Sequence, residues 1–159
     1  MQTLDASSII YAWDNYPELQ FPGLWRWLSL QIGSVQLTIP SVALEEVLAK
    51  SPSCGVWLKG VSISVLNESV RSLQLATQIQ SSLGVKDGKY GNGVKSNDVR
   101  IIAIAKIANA ELLTDERTQP GLPKSLLNYK IPAVCDLKSV GVAHLSFLEY
   151  IKRSKQIFV

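Results

Sequence analysis

An α/β fold with a central parallel sheet flanked by helices is what this sequence predicts, on three observations. Short apolar runs of strand character alternate with longer stretches of helical period. The connections between strand runs hold helices, as crossovers between parallel neighbours require. Acids stand just past the ends of strand runs, where open α/β sheets carry their ligand crevice.

Thr3-Leu4 ends a first strand and runs at once into Asp5, after which Ser7 to Trp13 reads as a helix with hydroxyl caps. Phe21-Pro22-Gly23 opens a second helix, whose Leu24, Trp25, Trp27, Leu28 and Ile32 form a broad apolar stripe. Gly33-Ser34 breaks it. Val35 to Ile39 alternates as a strand, and Pro40-Ser41 leads into a helix through about Lys50. A turn at 51–53, a short helix around Val56 to Lys59 and an alternating run from Val61 to Val65 follow. Asn67 is expected to cap a long helix to Leu83, with Val70, Leu73, Leu75, Ala76 and Ile79 on one side.

Residues 84–95 are rich in glycine and lysine and read as a mobile loop. Ser96-Asn97 caps the next helix, to about Asn109, and Glu111 to Thr114 is a strand that runs directly into Asp115-Glu116. Residues 120–129 read as turn and Pro132 to Lys138 as a helical turn. Val142 to Leu145 is a last strand, and Ser146 to Lys155 a closing helix.

A chain of 159 residues fits one domain over residues 1–159 with a single substantial core. With 47% apolar and 18% charged residues, it is not a disordered chain. The net charge of +3 permits a nucleic-acid partner without demanding one. Cys54 and Cys135 belong to no Cys/His cluster, which speaks against a structural zinc and a disulfide framework. Met1 leads directly into a strand with no signal-peptide pattern, and no apolar run spans a bilayer. A cytoplasmic protein without membrane contact is expected.

The chemistry is concentrated in four acidic positions: Asp5, Glu45-Glu46, Asp98 and Asp115-Glu116. Distant carboxylates brought together by folding repel one another unless a cation compensates them. Asp98 shares a helical stripe with Ile101, Ile102 and Ala105, so it points inward. Arg100 and Lys106 lie off that stripe, which favours a metal over an ion pair. Periodicity alone does not choose between Glu45 and Glu46. Ser7 and Thr114 stand beside acids, where they could orient water or a phosphate oxygen as readily as serve as caps.

With these residues in place, the chain resembles a PIN domain, the metal-dependent nuclease fold of VapC-type toxins. Leu4-Asp5-Ala6-Ser7 matches the opening strand-acid motif, and Ile39 to Val47 aligns so that Glu46 takes the second acidic role. Asp98 to Ala103 matches the third region and Leu113-Thr114-Asp115-Glu116 the fourth. The fourth favours Glu116 while leaving Asp115 in play. Phe21 to Trp27 and Ile131-Pro132-Ala133-Val134-Cys135 are similar to segments of a PIN-like subfamily.

The resemblance implies a three-layer α/β/α fold and cleavage of single-stranded RNA with Mg²⁺ or Mn²⁺. Asp5, Glu46, Asp98, Asp115 and Glu116 would be metal-binding and catalytic, with Ser7 and Thr114 assisting. It also implies a small antitoxin partner and a homodimer. The alternative is a PIN scaffold that binds RNA or a protein but cleaves poorly. Haloacid-hydrolase and receiver readings fail, because Asp5-Ala6-Ser7 lacks the second acid of the former and Leu37 to Pro40 offers no phosphorylatable acid for the latter.

Overall fold

Five short strands lie side by side in the order β3-β2-β1-β4-β5, every pair parallel. They are β1 (Gln2–Leu4), β2 (Leu37–Pro40), β3 (Ser64–Leu66), β4 (Glu111–Leu113) and β5 (His144–Leu145) in a computed structural model that describes residues 1–159. The chain builds the sheet outward from β1 through β2 to β3, then returns to the other side of β1 for β4 and β5. The order therefore reverses between β1 and β4, the position at which open α/β sheets leave a crevice past the strand ends. Thr3 pairs with Thr38 on one side and with Leu112 on the other, so Asp5 and Thr114 leave the sheet together.

Eight helices cover the faces: α1 (Ala6–Asn15), α2 (Pro22–Gly33), α3 (Ser41–Lys50), α4 (Pro52–Gly60), α5 (Val70–Leu83), α6 (Ser96–Ile107), α7 (Ile131–Cys135) and α8 (Phe147–Ser154). The three-layer PIN-like α/β/α fold expected from the sequence is present. The central strands, though short, hold because they are buried; Leu4, Leu37, Ile39, Leu112 and Leu113 are inaccessible to solvent. Trp25 is buried in edge-on ring contacts with Trp13 and Trp57, which tilt against each other, and its indole N–H donates to the Tyr16 carbonyl at 2.5 Å. Most of the aromatic segment thus belongs to the core, with Phe21 left partly exposed. No helix is long and apolar enough to cross a membrane.

Several boundaries differ from the sequence expectations. β2 begins at Leu37, because the N–H groups of Ser34, Val35 and Gln36 bond back to the last carbonyls of α2 and Val35 turns with φ of 58°. α4 starts earlier than expected, at Pro52, and Gly55 lets it lie directly on Leu48 of α3. α5 is capped by Ser69, not Asn67: the Ser69 hydroxyl accepts from the Ser72 N–H at 3.1 Å, and the Ser72 hydroxyl accepts from the Ser69 N–H at 2.8 Å. Its inner face is Ser72, Ala76, Ile79 and Leu83, while Val70 and Leu73 face solvent.

The loop at residues 84–95 is tied down despite its composition. Lys86 and Lys89 form an antiparallel bridge, and the Gly93 and Val94 N–H groups donate to the Leu127 and Tyr129 carbonyls at 3.1 and 2.8 Å. Gly93 is pressed so closely to the Tyr129 carbonyl that an added Cβ would lie 2.1 Å from its oxygen. Tyr90 is half-buried and its hydroxyl accepts from Gln80.

Candidate active site

A cleft of about 630 Å³ opens at the carboxyl ends of the central strands, lined among others by Asp5, Glu46, Asp98 and Glu116. Each acid arrives on a different segment. Asp5 is the residue between β1 and α1, Glu46 is in α3, Asp98 is in the first turn of α6, and Glu116 follows β4. Lys50, Lys95, Ser96 and Asn97 complete its polar wall beside Ser7. Glu45 faces solvent, so helix α3 turns only Glu46 into the cleft.

Asp5 is the most enclosed of the group, at 3% exposure. The Ser7 and Thr114 hydroxyls both donate to its Oδ2, at 2.5 and 3.0 Å. Ser7 Oγ in turn accepts from the Asp115 N–H at 3.0 Å, and Thr114 Oγ1 from the Glu116 N–H at 3.3 Å. The two hydroxyls thereby lock the turn after β4 onto the turn after β1. Ser7 does not cap α1; the Ser8 hydroxyl, one residue on, donates to the Asp5 carbonyl at 2.7 Å.

The same pattern recurs at the other acids. Asp98 accepts from the Lys95 N–H through Oδ2 at 2.7 Å, Glu116 from the Ile131 N–H through Oε2 at 3.3 Å, and Glu46 from the Asn97 side-chain amide through Oε1 at 2.9 Å. Each carboxylate has one oxygen held by a protein donor. The second oxygen of Asp5, Asp98 and Glu116 accepts no hydrogen bond from the protein, and that of Glu46 has only Lys50 at 3.8 Å.

Asp115 is placed differently. Its Oδ1 accepts from the Phe147 N–H at the start of α8 at 3.3 Å, its Oδ2 is buried without a partner, and it does not line the main cleft. It borders a smaller polar depression with Glu116, His144 and Glu149. His144 pairs with Asp136 at 2.8 Å.

Electrostatics mark the cleft as a place of concentrated negative charge. Burial pushes the Asp5 carboxyl up to about 6, opposed by the Ser7 and Thr114 hydrogen bonds and reinforced by repulsion from Glu116 and Glu46. Asp98 is likewise pushed up to about 6, first by burial and then, against the Lys95 N–H, by Glu116, Asp5 and Glu46. Burial raises the Asp115 carboxyl as well. Arg100 brings no relief, because its guanidinium is engaged by both oxygens of Glu68.

The donor set fits a hard divalent cation. It is all oxygen, it is anionic, and its unengaged oxygens belong to residues of one cleft. No three acidic, histidine or cysteine side chains stand close enough to enclose an ion directly. Magnesium and manganese keep several of their waters, so such a cation in this cleft would be held partly through water. Lys95 ends the lysine-rich loop expected to lie beside the site, whereas Asn97 and Lys50 were not legible as site residues. Asn97 reads locally as a capping residue, and only the i,i+4 spacing of Glu46 and Lys50 hints at the latter's position.

Two solved structures share the fold. A chain in the crystal structure of VapBC2 from Rickettsia felis bound to a DNA fragment from their promoter is 16% identical, with a TM-score of 0.54 over 91% of this chain and 97% of that one. A chain in the crystal structure of DNA-bound VapBC from Salmonella typhimurium is also 16% identical, with a TM-score of 0.56 over 92% and 99%. At that identity the likeness is one of architecture. No curated protein sequence matches the chain. One family model covers residues 3–158, nearly the whole chain, and the protein accordingly belongs to the family described as a domain of unknown function, DUF4411.

Proposed function

We propose that this protein is a divalent-metal-dependent endoribonuclease that hydrolyses phosphodiester bonds in single-stranded RNA, acting as the toxin of a toxin-antitoxin pair. The observation that carries the proposal is the convergence of Asp5, Glu46, Asp98 and Glu116, from four separate segments, on one cleft. Burying Asp5 among like charges is unfavourable in the free protein, and binding a cation offsets it. The shared architecture with chains of VapBC complexes supports a small antitoxin partner, and the resemblance to VapC-type toxins supports a homodimer.

A bound Mg²⁺ or Mn²⁺ would supply a water of lowered pKa and stabilise charge on the phosphodiester. Asp5, Glu46, Asp98 and Glu116 would hold it, while Ser7 and Thr114 keep Asp5 turned toward the cleft. Lys50 and Lys95 border the same cleft and offer positive charge to the RNA backbone on either side of the scissile phosphate.

The test is cleavage of a labelled single-stranded RNA by the purified chain with Mn²⁺. Cleavage should stop on addition of EDTA and fall at least a hundredfold in Asp5→Asn and Asp98→Asn. RNA binding without cutting in any divalent metal would replace the nuclease with a binding scaffold. Undiminished cutting by Asp98→Asn would remove the cation site.

A further inference from the structure

Glu46 sits on a short hydrogen-bonded chain that runs away from the cleft. Asn97 Nδ2 donates to Glu46 Oε1 at 2.9 Å, Arg100 Nη1 donates to Asn97 Oδ1 at 3.2 Å, and Arg100 Nε donates to Glu68 Oε2 at 2.9 Å. A second guanidinium nitrogen, Nη2, engages Glu68 Oε1, making a bidentate pair. The four residues come from α3, from α6 and from the segment after β3.

The chemistry of this chain is directional. A guanidinium has donors only, so the Asn97 carbonyl must face Arg100 and its amide N–H must face Glu46. Glu68 absorbs the positive charge of Arg100, and Arg100 in turn holds the Glu68 carboxyl below the ordinary carboxylate range. What reaches Glu46 is therefore a neutral, oriented donor. A cationic partner would orient Glu46 equally well but would compete with a bound metal ion for its charge. Lys50, the only cation within 4 Å of Glu46, lies at 3.8 Å and is largely exposed.

We propose that Glu68, Arg100 and Asn97 form a positioning relay that fixes the Glu46 carboxylate in the cleft without neutralising it. Asn97 is the contacting member, Arg100 sets the sense of its amide, and Glu68 anchors Arg100. The proposal rests on the reading of the acidic cleft as a cation site. Outer partners of metal ligands commonly contribute ten- to a hundredfold to metal affinity.

The experiment is calorimetric titration of the metal-free full chain with Mn²⁺, alongside thermal unfolding of each variant in EDTA. Asn97→Ala should weaken Mn²⁺ binding about tenfold. The double variant Glu68→Gln/Arg100→Met leaves the net charge unchanged, so an affinity loss of about three- to tenfold would report position, not charge. Its metal-free melting temperature is expected to fall little, since the pair is partly exposed. Wild-type Mn²⁺ affinity in Asn97→Ala, with binding lost in Asp5→Asn, would overturn the relay and leave the cation site intact. Unchanged affinity in Asp5→Asn as well would overturn the cation site beneath it. Should the double variant not fold, Asn97→Ala decides alone.

Discussion

The buried carboxylate of Asp5 makes the free protein less stable than its fold allows, and the size of that penalty follows from its surroundings. Burial first, then Glu116 and Glu46, lift its pKa from an ordinary 3.8 to about 6. The folded chain thus binds this proton more tightly than the unfolded chain does. Below about pH 4 the group is protonated in both states and imposes no penalty; between about pH 4 and 6 the penalty grows; above that it is complete, at about 3 kcal/mol. Asp5→Asn removes the charge while its amide oxygen can still accept from Ser7 and Thr114. The variant should therefore gain about 2 kcal/mol at pH 7.5, which for a chain of this length raises the melting temperature by roughly 4–8 °C. The assay is thermal unfolding followed by circular dichroism in EDTA, at pH 5 and pH 7.5. The wild type should melt higher at pH 5, and Asp5→Asn should show a flatter pH dependence. Excess Mn²⁺ should stabilise the wild type and leave Asp5→Asn unchanged. An Asp5→Asn variant that melts below the wild type at pH 7.5 would refute the reasoning, because the charge would then be stabilising without any metal.

Two further outcomes concern the scaffold. Gly93→Ala drives a methyl group against the Tyr129 carbonyl, with 2.1 Å available, and should cost about 1–3 kcal/mol in urea unfolding; an unchanged midpoint would mean that the lysine-bearing loop is not held against residues 127–129. Trp25→Ala empties the centre of the aromatic cluster and should cost about 3–5 kcal/mol, whereas a loss under about 1 kcal/mol would place that cluster outside the core.

Much of the fold was legible because its signals are local. The break at Gly33-Ser34, the run of Leu37 to Ile39 and the entry into α3 at Pro40-Ser41 are each decided within a few residues. The errors are of the opposite kind. Val35 looks like the first residue of a strand, yet hydrogen bonds to α2 claim it for a turn. Val70 and Leu73 look like part of a core stripe, yet α5 turns them to solvent and buries Ser72, Ala76, Ile79 and Leu83 instead. The glycines and lysines of residues 84–95 read as a mobile segment, yet Gly91 and Gly93 are small because residues 127–129 press against them.

By itself, the order of strand runs, caps and acids determined a parallel sheet and located Asp5 and Asp115-Glu116 beside its strand ends, since periodicity and punctuation are written along the chain. Periodicity left open which acids share a cleft; the family resemblance favoured Glu46 and Glu116, and the physical reason lies in the tertiary structure. Helix α3 offers Glu45 and Glu46 at nearly the same height, and only its rotation against the sheet turns Glu46 inward. The Phe147 N–H at the start of α8, 32 residues further on, engages Asp115, and Glu116 is left to line the cleft. Asn97 meets Glu46 across 51 residues of sequence, and no local pattern encodes a contact of that range.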